Sequence, residues 1–160
     1  MSTNAVSIES APANAVQTLG DRIELELLVS GLGQFLDAHD AERAPLLFSD
    51  DVVVTTLGGT AEGRDAVVAQ ALRNHQVPTQ HLIANVVSEI DGDDARMTAN
   101  LLVVFADGPP ARVGPQQVEL PTAALTLGER YRFEARRGDG GWRLTRIAID
   151  PVWAAGARLG

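Results

Sequence analysis

Apolar residues recur three or four positions apart in three stretches of the first half of the chain. The first stretch, residues 21–38, predicts an amphipathic helix, and shorter helices are predicted for residues 41–48 and 63–74. Residues 1–17 are rich in Ser, Ala and Asn and lack this periodicity, so we expect a flexible N-terminal tail there. The predicted helices therefore all lie in the first half of the chain.

The second half shows runs of residues that are typical of strands. Turns rich in Gly and Asp at residues 91–94 and 138–141 separate long runs of this kind, which predicts two antiparallel hairpins. Residues 107–121 contain four prolines and two glycines and are predicted to form a loop. The predicted strands are residues 52–56, 80–90, 95–105, 123–137 and 142–150.

This order, with helices first and antiparallel strands later, is that of an α+β fold. A chain of 160 residues has the size of one domain, which we place at residues 18–155, with a short C-terminal tail at residues 156–160. A curved sheet that is covered on one face by helices leaves a concave space between the two layers, and ligands often bind in such a space. We therefore expect one domain with a pocket.

The composition removes several classes of function. A formal net charge of −8 disfavours nucleic acids and anionic membranes as partners, and the only local group of basic residues, between Arg130 and Arg137, alternates with apolar residues as in one strand. The chain has no cysteine and no lysine, which excludes thiolate and Schiff-base chemistry. No apolar run approaches the roughly 20 residues of a membrane span, and no secretion signal is visible, so we expect a cytoplasmic location.

Three histidines are candidates for acid–base chemistry, and no two are spaced to bind a metal from one helix or strand. His39 fits a polar turn between helices, and His75 fits the end of the third helix, where a cation interacts well with the helix dipole. His81 begins a long apolar strand, where its ring would be half buried, and imidazole exchanges protons near neutral pH. From the residues alone, a structural and a catalytic role for His81 both stay open.

Five short segments carry a family resemblance: Phe35–Asp40, Leu47–Val52, Glu62–Ala66, Thr79–Leu82 and Asp91–Ala95. Together they resemble the SnoaL-like family of the nuclear transport factor 2-like superfamily, in particular its scytalone dehydratase-like branch. The resemblance extends over about residues 20–153 and includes the ending Ile149–Trp153. It implies a cone-shaped α+β fold, with three N-terminal helices packed on a curved, mainly antiparallel sheet that encloses a pocket. It also implies a homodimer formed through the outer face of the sheet.

The same resemblance implies which residues form the site. His81 is expected to act as general base or acid, and Asp37 is expected to orient it. On a regular helix Asp37 lies more than about 100° from the centre of the apolar stripe, so the sequence leaves open whether it faces the pocket. No metal and no cofactor is expected. The expected substrate-binding residues are Asn100, Tyr131, Asn85, Val54 and Trp153.

The function that follows is a cofactor-free lyase or isomerase of the dehydratase or cyclase type. Its substrate would be a small, largely apolar ring compound, such as a polyketide-type or steroid-type intermediate. Two alternatives stay open: a domain that binds a small apolar molecule without chemistry, and a structural dimeric subunit similar to the small subunit of ring-hydroxylating dioxygenases. All three share one fold, and fold alone does not decide between them.

Overall fold

The computed structural model describes residues 13–157 and shows an α+β domain in which helices pack on a mixed sheet. The helices are α1 (Ala13–Ala38), α2 (Ala44–Leu47) and α3 (Arg64–Asn74), with a 3-10 turn at Ala41–Arg43. The strands are β1 (Phe48–Thr56), β2 (Gly59–Glu62), β3 (Thr79–Asp91), β4 (Asp94–Phe105), β5 (Gly108–Val113), β6 (Val118–Thr122), β7 (Leu125–Gly138) and β8 (Gly141–Gly156).

Six of the strands form one sheet in the order β2-β1-β8-β7-β4-β3. Neighbouring strands run antiparallel except β1 and β8, which are parallel. The long hairpins β3–β4 and β7–β8 confirm the two hairpins that the turn residues predicted. The remaining strands, β5 and β6, pair with each other in a separate sheet.

The predicted loop at residues 107–121 is wrong, because this segment contains the β5–β6 hairpin. Pro109 and Pro110 lie where the register shifts between Gly108 and Ala111. A proline has no N–H to donate, and an irregular position on a short strand tolerates that loss. The high proline content therefore marks an irregularity within a strand and not the absence of strands.

Several ends of elements also differ from the prediction. The helix predicted from residue 21 already begins at Ala13, so residues 13–17 are helical, and residues 1–12 lie outside the described part of the chain. The second helix ends at Leu47, because Phe48 already pairs with β8. The last strand continues to Gly156, and residues 158–160 of the predicted C-terminal tail lie outside the described part.

The core lies between the inner face of the sheet and the helices. Along β4 every second side chain from Ala95 to Phe105 is buried, as the two-residue period of a strand requires. α1 approaches β3 closely at Gly33, where a Cβ atom would lie only 3.7 Å from the Cβ of His81. The buried residues of α1 that face the sheet are Leu25, Leu28, Val29, Leu32, Phe35 and Leu36.

A buried ion pair joins α1 to the far end of the sheet. Arg137 of β7 donates from Nη1 and Nη2 to the two carboxylate oxygens of Asp21, at 2.6 Å and 3.0 Å. Gln17 and the indole of Trp142 donate to the same carboxylate, and the guanidinium lies 4.6 Å from the centre of that indole. Burial alone would raise the pKa of Asp21, but these hydrogen bonds outweigh burial and lower the pKa.

We expect Asp21→Asn to lower the free energy of unfolding by about 2 kcal/mol at neutral pH, because it removes a charge-assisted, two-bond contact to Arg137. Urea denaturation followed by circular dichroism measures this loss. Since folding lowers the pKa of Asp21 from 3.8, its contribution is full above that value and disappears as the pH falls through the folded-state pKa. The difference between the two proteins should therefore shrink below about pH 4.

Asp94→Asn is the matched control, because Asp94 pairs with Arg136 at 3.1 Å but both side chains are largely exposed. An exposed pair contributes little, so we expect a loss of less than about 1 kcal/mol. Equal losses in the two variants would contradict the structural role of the buried pair.

Candidate active site

The last turn of α1 presents one carboxylate to the start of β3. Asp37 Oδ1 lies 2.6 Å from the ring Nδ1 of His81 and accepts a hydrogen bond of 3.0 Å from the Thr79 hydroxyl. The backbone N–H of His81 donates to both oxygens of Asp37, at 3.1 Å and 3.0 Å. β3 is an edge strand of the sheet, and α1 lies across its first residues. The structure therefore places Asp37 against His81, although Asp37 itself is not among the residues that line the inner hollows described below.

These contacts assign the two nitrogens of the His81 ring. Because a carboxylate only accepts hydrogen bonds, the neutral ring carries its proton on Nδ1 and leaves a lone pair on Nε2. The His81 side chain is only 2% exposed. Burial lowers the pKa of His81 below 6.5, although Asp37 opposes this shift by stabilising the charged ring. At neutral pH His81 is thus a neutral base with a free Nε2 lone pair.

A second imidazole lies beside the first. The rings of His75 and His81 have centroids 4.9 Å apart, and His75 also stacks on Phe105 with ring planes 10° apart. His75 Nδ1 donates to the Ala71 carbonyl oxygen at 2.8 Å, and burial lowers the pKa of His75. The residue follows α3 as its C-cap, as the sequence suggested. What the sequence analysis missed is that the same ring forms part of the site wall.

β7 contributes a carboxyl group and a hydroxyl group to the same region. Tyr131 is 4% exposed, and it lies two residues from the half-buried Glu129 on the same face of β7. Burial raises the pKa of Glu129, and the neighbouring Tyr131 hydroxyl opposes that shift only in part. Burial and the adjacent Glu129 charge raise the pKa of Tyr131 well above its usual range. The sequence analysis missed Glu129, although two-residue alternation along β7 places it in the same row as Leu127, Tyr131 and Phe133.

These side chains line one hollow of about 360 Å³ between α3 and the inner face of the sheet. His75, His81, Glu129 and Tyr131 supply its titratable groups, together with Arg73. A smaller apolar hollow of about 50 Å³ shares Tyr131 with it and extends toward α1. The apolar side chains of the larger hollow are Leu57, Val103, Phe105, Leu125, Leu127, Ile149 and Pro151.

The structure brings together some of the residues predicted for the site and separates others. Tyr131 lines the hollow that contains His81, and Val54 lines the smaller hollow beside it. Asn100 and Trp153 line a hollow of about 410 Å³ on the outer face of the sheet. Asn85 is exposed at a bulge of β3, where its φ is 55°. These three residues therefore do not share a cavity with His81.

Strand alternation explains this separation. Asn100 lies between the buried residues Ala99 and Leu101 of β4, so its side chain points to the opposite face from theirs. The Trp153 indole packs on Gly128 of the neighbouring strand β7, where a Cβ atom would lie only 2.2 Å from the indole. The outer hollow is the larger of the two, so volume does not select the site. We choose the inner hollow as the candidate active site because it contains two imidazoles and a carboxyl group.

Within residues 13–157, no group of three or more His, Asp or Glu side chains is arranged to hold a metal ion. No helix in that range is long and apolar enough to cross a membrane.

The chain belongs to the SnoaL-like domain family, whose model matches residues 17–148. No curated protein matches its sequence. Among solved structures, a type 2 hexachlorocyclohexane dehydrochlorinase, LinA, is 17% identical with a TM-score of 0.73, and the match covers 91% of this chain and 95% of that chain. A candidate scytalone dehydratase from Novosphingobium aromaticivorans is 17% identical with a TM-score of 0.71, with 91% and 93% covered.

A nuclear transport factor 2-like protein with a cystatin-like fold, also from Novosphingobium aromaticivorans, is 22% identical with a TM-score of 0.69, and the match covers 88% of this chain and 87% of that chain. At these identities the likeness shows a shared fold. Family membership and fold agree with the resemblance carried by the sequence segments.

We expect Asp37→Asn to lower the pKa of His81 further below 6.5, because the neutral amide no longer stabilises the protonated ring. Titration of ¹⁵N-histidine-labelled protein by NMR measures both the midpoint and the nitrogen that carries the proton. Asp50→Asn, at an exposed carboxylate that pairs with Arg64, is the control and should leave the His81 midpoint unchanged. A His81 midpoint that stays the same or rises in Asp37→Asn would show that the carboxylate does not act on the ring.

Proposed function

We propose that the protein is a lyase or isomerase in which His81 removes a proton from a carbon atom of a small, largely apolar ring compound. The observation that carries this proposal is the 2.6 Å contact between His81 Nδ1 and Asp37 on the wall of the inner hollow. That contact fixes the ring, selects the tautomer with a free Nε2, and places a negative charge beside the imidazolium that would form.

The chemistry follows from the environment of the ring. A substrate C–H bond that is acidified by a neighbouring electron-withdrawing group transfers its proton to Nε2, and the electron pair enters a new double bond. Asp37 stabilises the resulting imidazolium through the Nδ1–H bond. Because the His81 side chain is 2% exposed, water does not compete for Nε2 once a substrate fills the hollow. Departure of a group gives a lyase, and return of the proton to another atom gives an isomerase.

The size and lining of the hollow support a compact substrate. About 360 Å³ lies at the lower end of the usual range for small-molecule sites, roughly 300–1,000 Å³. Leu127, Ile149 and Phe105 offer apolar contact, and the polar groups that share the hollow with them include His75, His81, Glu129 and Tyr131. Two similar structures carry the names of elimination enzymes, a dehydrochlorinase and a candidate dehydratase, and these names support the same reaction class.

We expect the wild-type protein to open 5-nitrobenzisoxazole, a probe whose only chemical requirement is removal of one C–H proton. Loss of this proton breaks the ring N–O bond and releases a coloured phenolate, so an absorbance assay measures kcat/KM directly. His81→Gln should lower kcat/KM by about 100-fold or more, the usual effect of a positioned general base. Circular dichroism and thermal unfolding check that the variant is folded.

Gln80→Ala is the matched control, because Gln80 is the exposed neighbour of His81 on β3 and points to the opposite face. We expect its kcat/KM to equal that of the wild type. Turnover that is unchanged in His81→Gln, or that in the wild type does not exceed catalysis by the same concentration of free imidazole, would overturn the proposed function.

A further inference from the structure

The register of the sheet places Glu129 across the hollow from His81. His81 pairs with Val103 of β4, which in turn pairs with Leu127 of β7, and Glu129 lies two residues further along β7 on the same face. With strands about 4.8 Å apart and about 3.4 Å per residue, the Cα atoms of His81 and Glu129 are separated by about 12 Å. Both residues line the same hollow of about 360 Å³.

The surroundings of the Glu129 carboxyl group favour its neutral, protonated form. It is half buried beside Leu127 and Pro151, and none of the ion pairs among the described residues includes it. A carboxylate without a cationic partner is costly in apolar surroundings, so burial raises the pKa of Glu129. Burial therefore shifts the Glu129 carboxyl group toward its protonated form relative to an exposed glutamate.

The other titratable and charged groups that face the hollow come from three elements. Tyr131 of β7 lies beside Glu129 on the same face of the strand, and burial lowers the pKa of both His75 and His81. Arg73 of α3 is exposed and lies at the rim. Among residues 13–157, Glu129 is thus the one carboxyl group that lines the hollow, and it lies across the sheet from His81.

We propose that Glu129 is a second catalytic residue, which donates a proton to the leaving group while His81 takes a proton from carbon. This role rests on the proposed function and narrows it to an elimination. It also names the substrate class: a ring compound with an acidified C–H bond and, on the adjacent carbon, an oxygen leaving group that must be protonated to depart.

The elimination balances without any co-reactant. The C–H proton moves to His81 Nε2, the C–H electron pair forms the new carbon–carbon double bond, and the C–O bond breaks. The departing oxygen takes the proton of the Glu129 carboxyl group and leaves as water. The site then holds an imidazolium and a carboxylate, and transfer of one proton from His81 to Glu129 through solvent restores the starting state.

Two probes with different leaving groups test this role. The phenolate released from unsubstituted benzisoxazole is much more basic than that from the 5-nitro compound, so its release depends far more on a proton donor. We expect Glu129→Gln to lower kcat/KM for benzisoxazole about 10-fold more than for 5-nitrobenzisoxazole. A residue that only maintains the shape of the hollow would lower both values by the same factor.

Glu134→Gln is the matched control, because Glu134 lies on the same strand but is exposed and contacts Arg146. It should leave the ratio of the two kcat/KM values unchanged. Equal losses for the two probes in Glu129→Gln, with His81→Gln still inactive, would overturn the proton-donor role and leave the proposed function intact. Unchanged turnover in His81→Gln would overturn both.

An NMR titration of Glu129 tests the proposal independently of any turnover measurement. NMR of protein labelled with ¹³C at the glutamate carboxyl carbon reports each carboxyl titration, and the signal lost in Glu129→Gln identifies Glu129. We expect its midpoint to lie above the ordinary value of 4.5, and to rise further in Tyr131→Phe, which removes a donor to the charged form. A Glu129 midpoint at or below 4.5 would overturn the proposal whatever the probes show.

Discussion

The contact on which the site depends is the one between the Asp37 carboxylate and the start of β3. Two oxygens accept hydrogen bonds from a hydroxyl, a backbone N–H and an imidazole N–H, all from Thr79 and His81. The backbone bond fixes where α1 lies on the edge strand, and the ring bond fixes the tautomer of His81. One carboxylate therefore has both a structural and a chemical role. A movement of α1 relative to β3 would change both contacts together.

The two faces of the sheet differ in how far their titratable groups are withdrawn from solvent: ion pairs such as Arg132–Asp150 and Arg146–Glu134 are exposed on the outer face, whereas His81 and Glu129 are buried or half buried on the inner face. His81 lies on β3 and Glu129 lies on β7, and only β4 separates these two strands. The buried side chain of Val103, on β4, lies between them. Burial acts on them in opposite senses, since it lowers the pKa of the imidazole and raises the pKa of the carboxyl group. Both groups are thereby pushed toward their neutral forms, which is the combination of a base and an acid that an elimination needs.

Two carboxyl groups in this fold show how the partners of a buried charge decide its pKa. Asp21 is buried, yet its pKa is lowered because Arg137, Gln17 and Trp142 all donate to it. Glu129 is half buried, none of the ion pairs among the described residues includes it, and its pKa is raised. The first carboxylate joins helix to sheet, and the second is available for proton transfer.

The sequence by itself determined the two long hairpins, the helical segments of the first half and the fold class, and it proposed one half of the candidate site. The α+β fold was predicted from helical periodicity, from the turns at residues 91–94 and 138–141 and from the resemblance of five segments. That resemblance also led to His81 and Asp37. Local patterns could do this because periodicity and turn chemistry act over a few residues. The homodimer through the outer face stays a prediction.

Only the tertiary structure decided which polar residues share a cavity. Alternation along β4 and β7 can assign Asn100 and Glu129 to opposite faces of their strands, but no local pattern shows which strand lies opposite His81. The register between β3, β4 and β7 places one outside and the other opposite His81. His75 reaches the site because the end of α3 packs against β3 and β4. Such proximity arises from packing between segments far apart in the chain, and no local pattern records it.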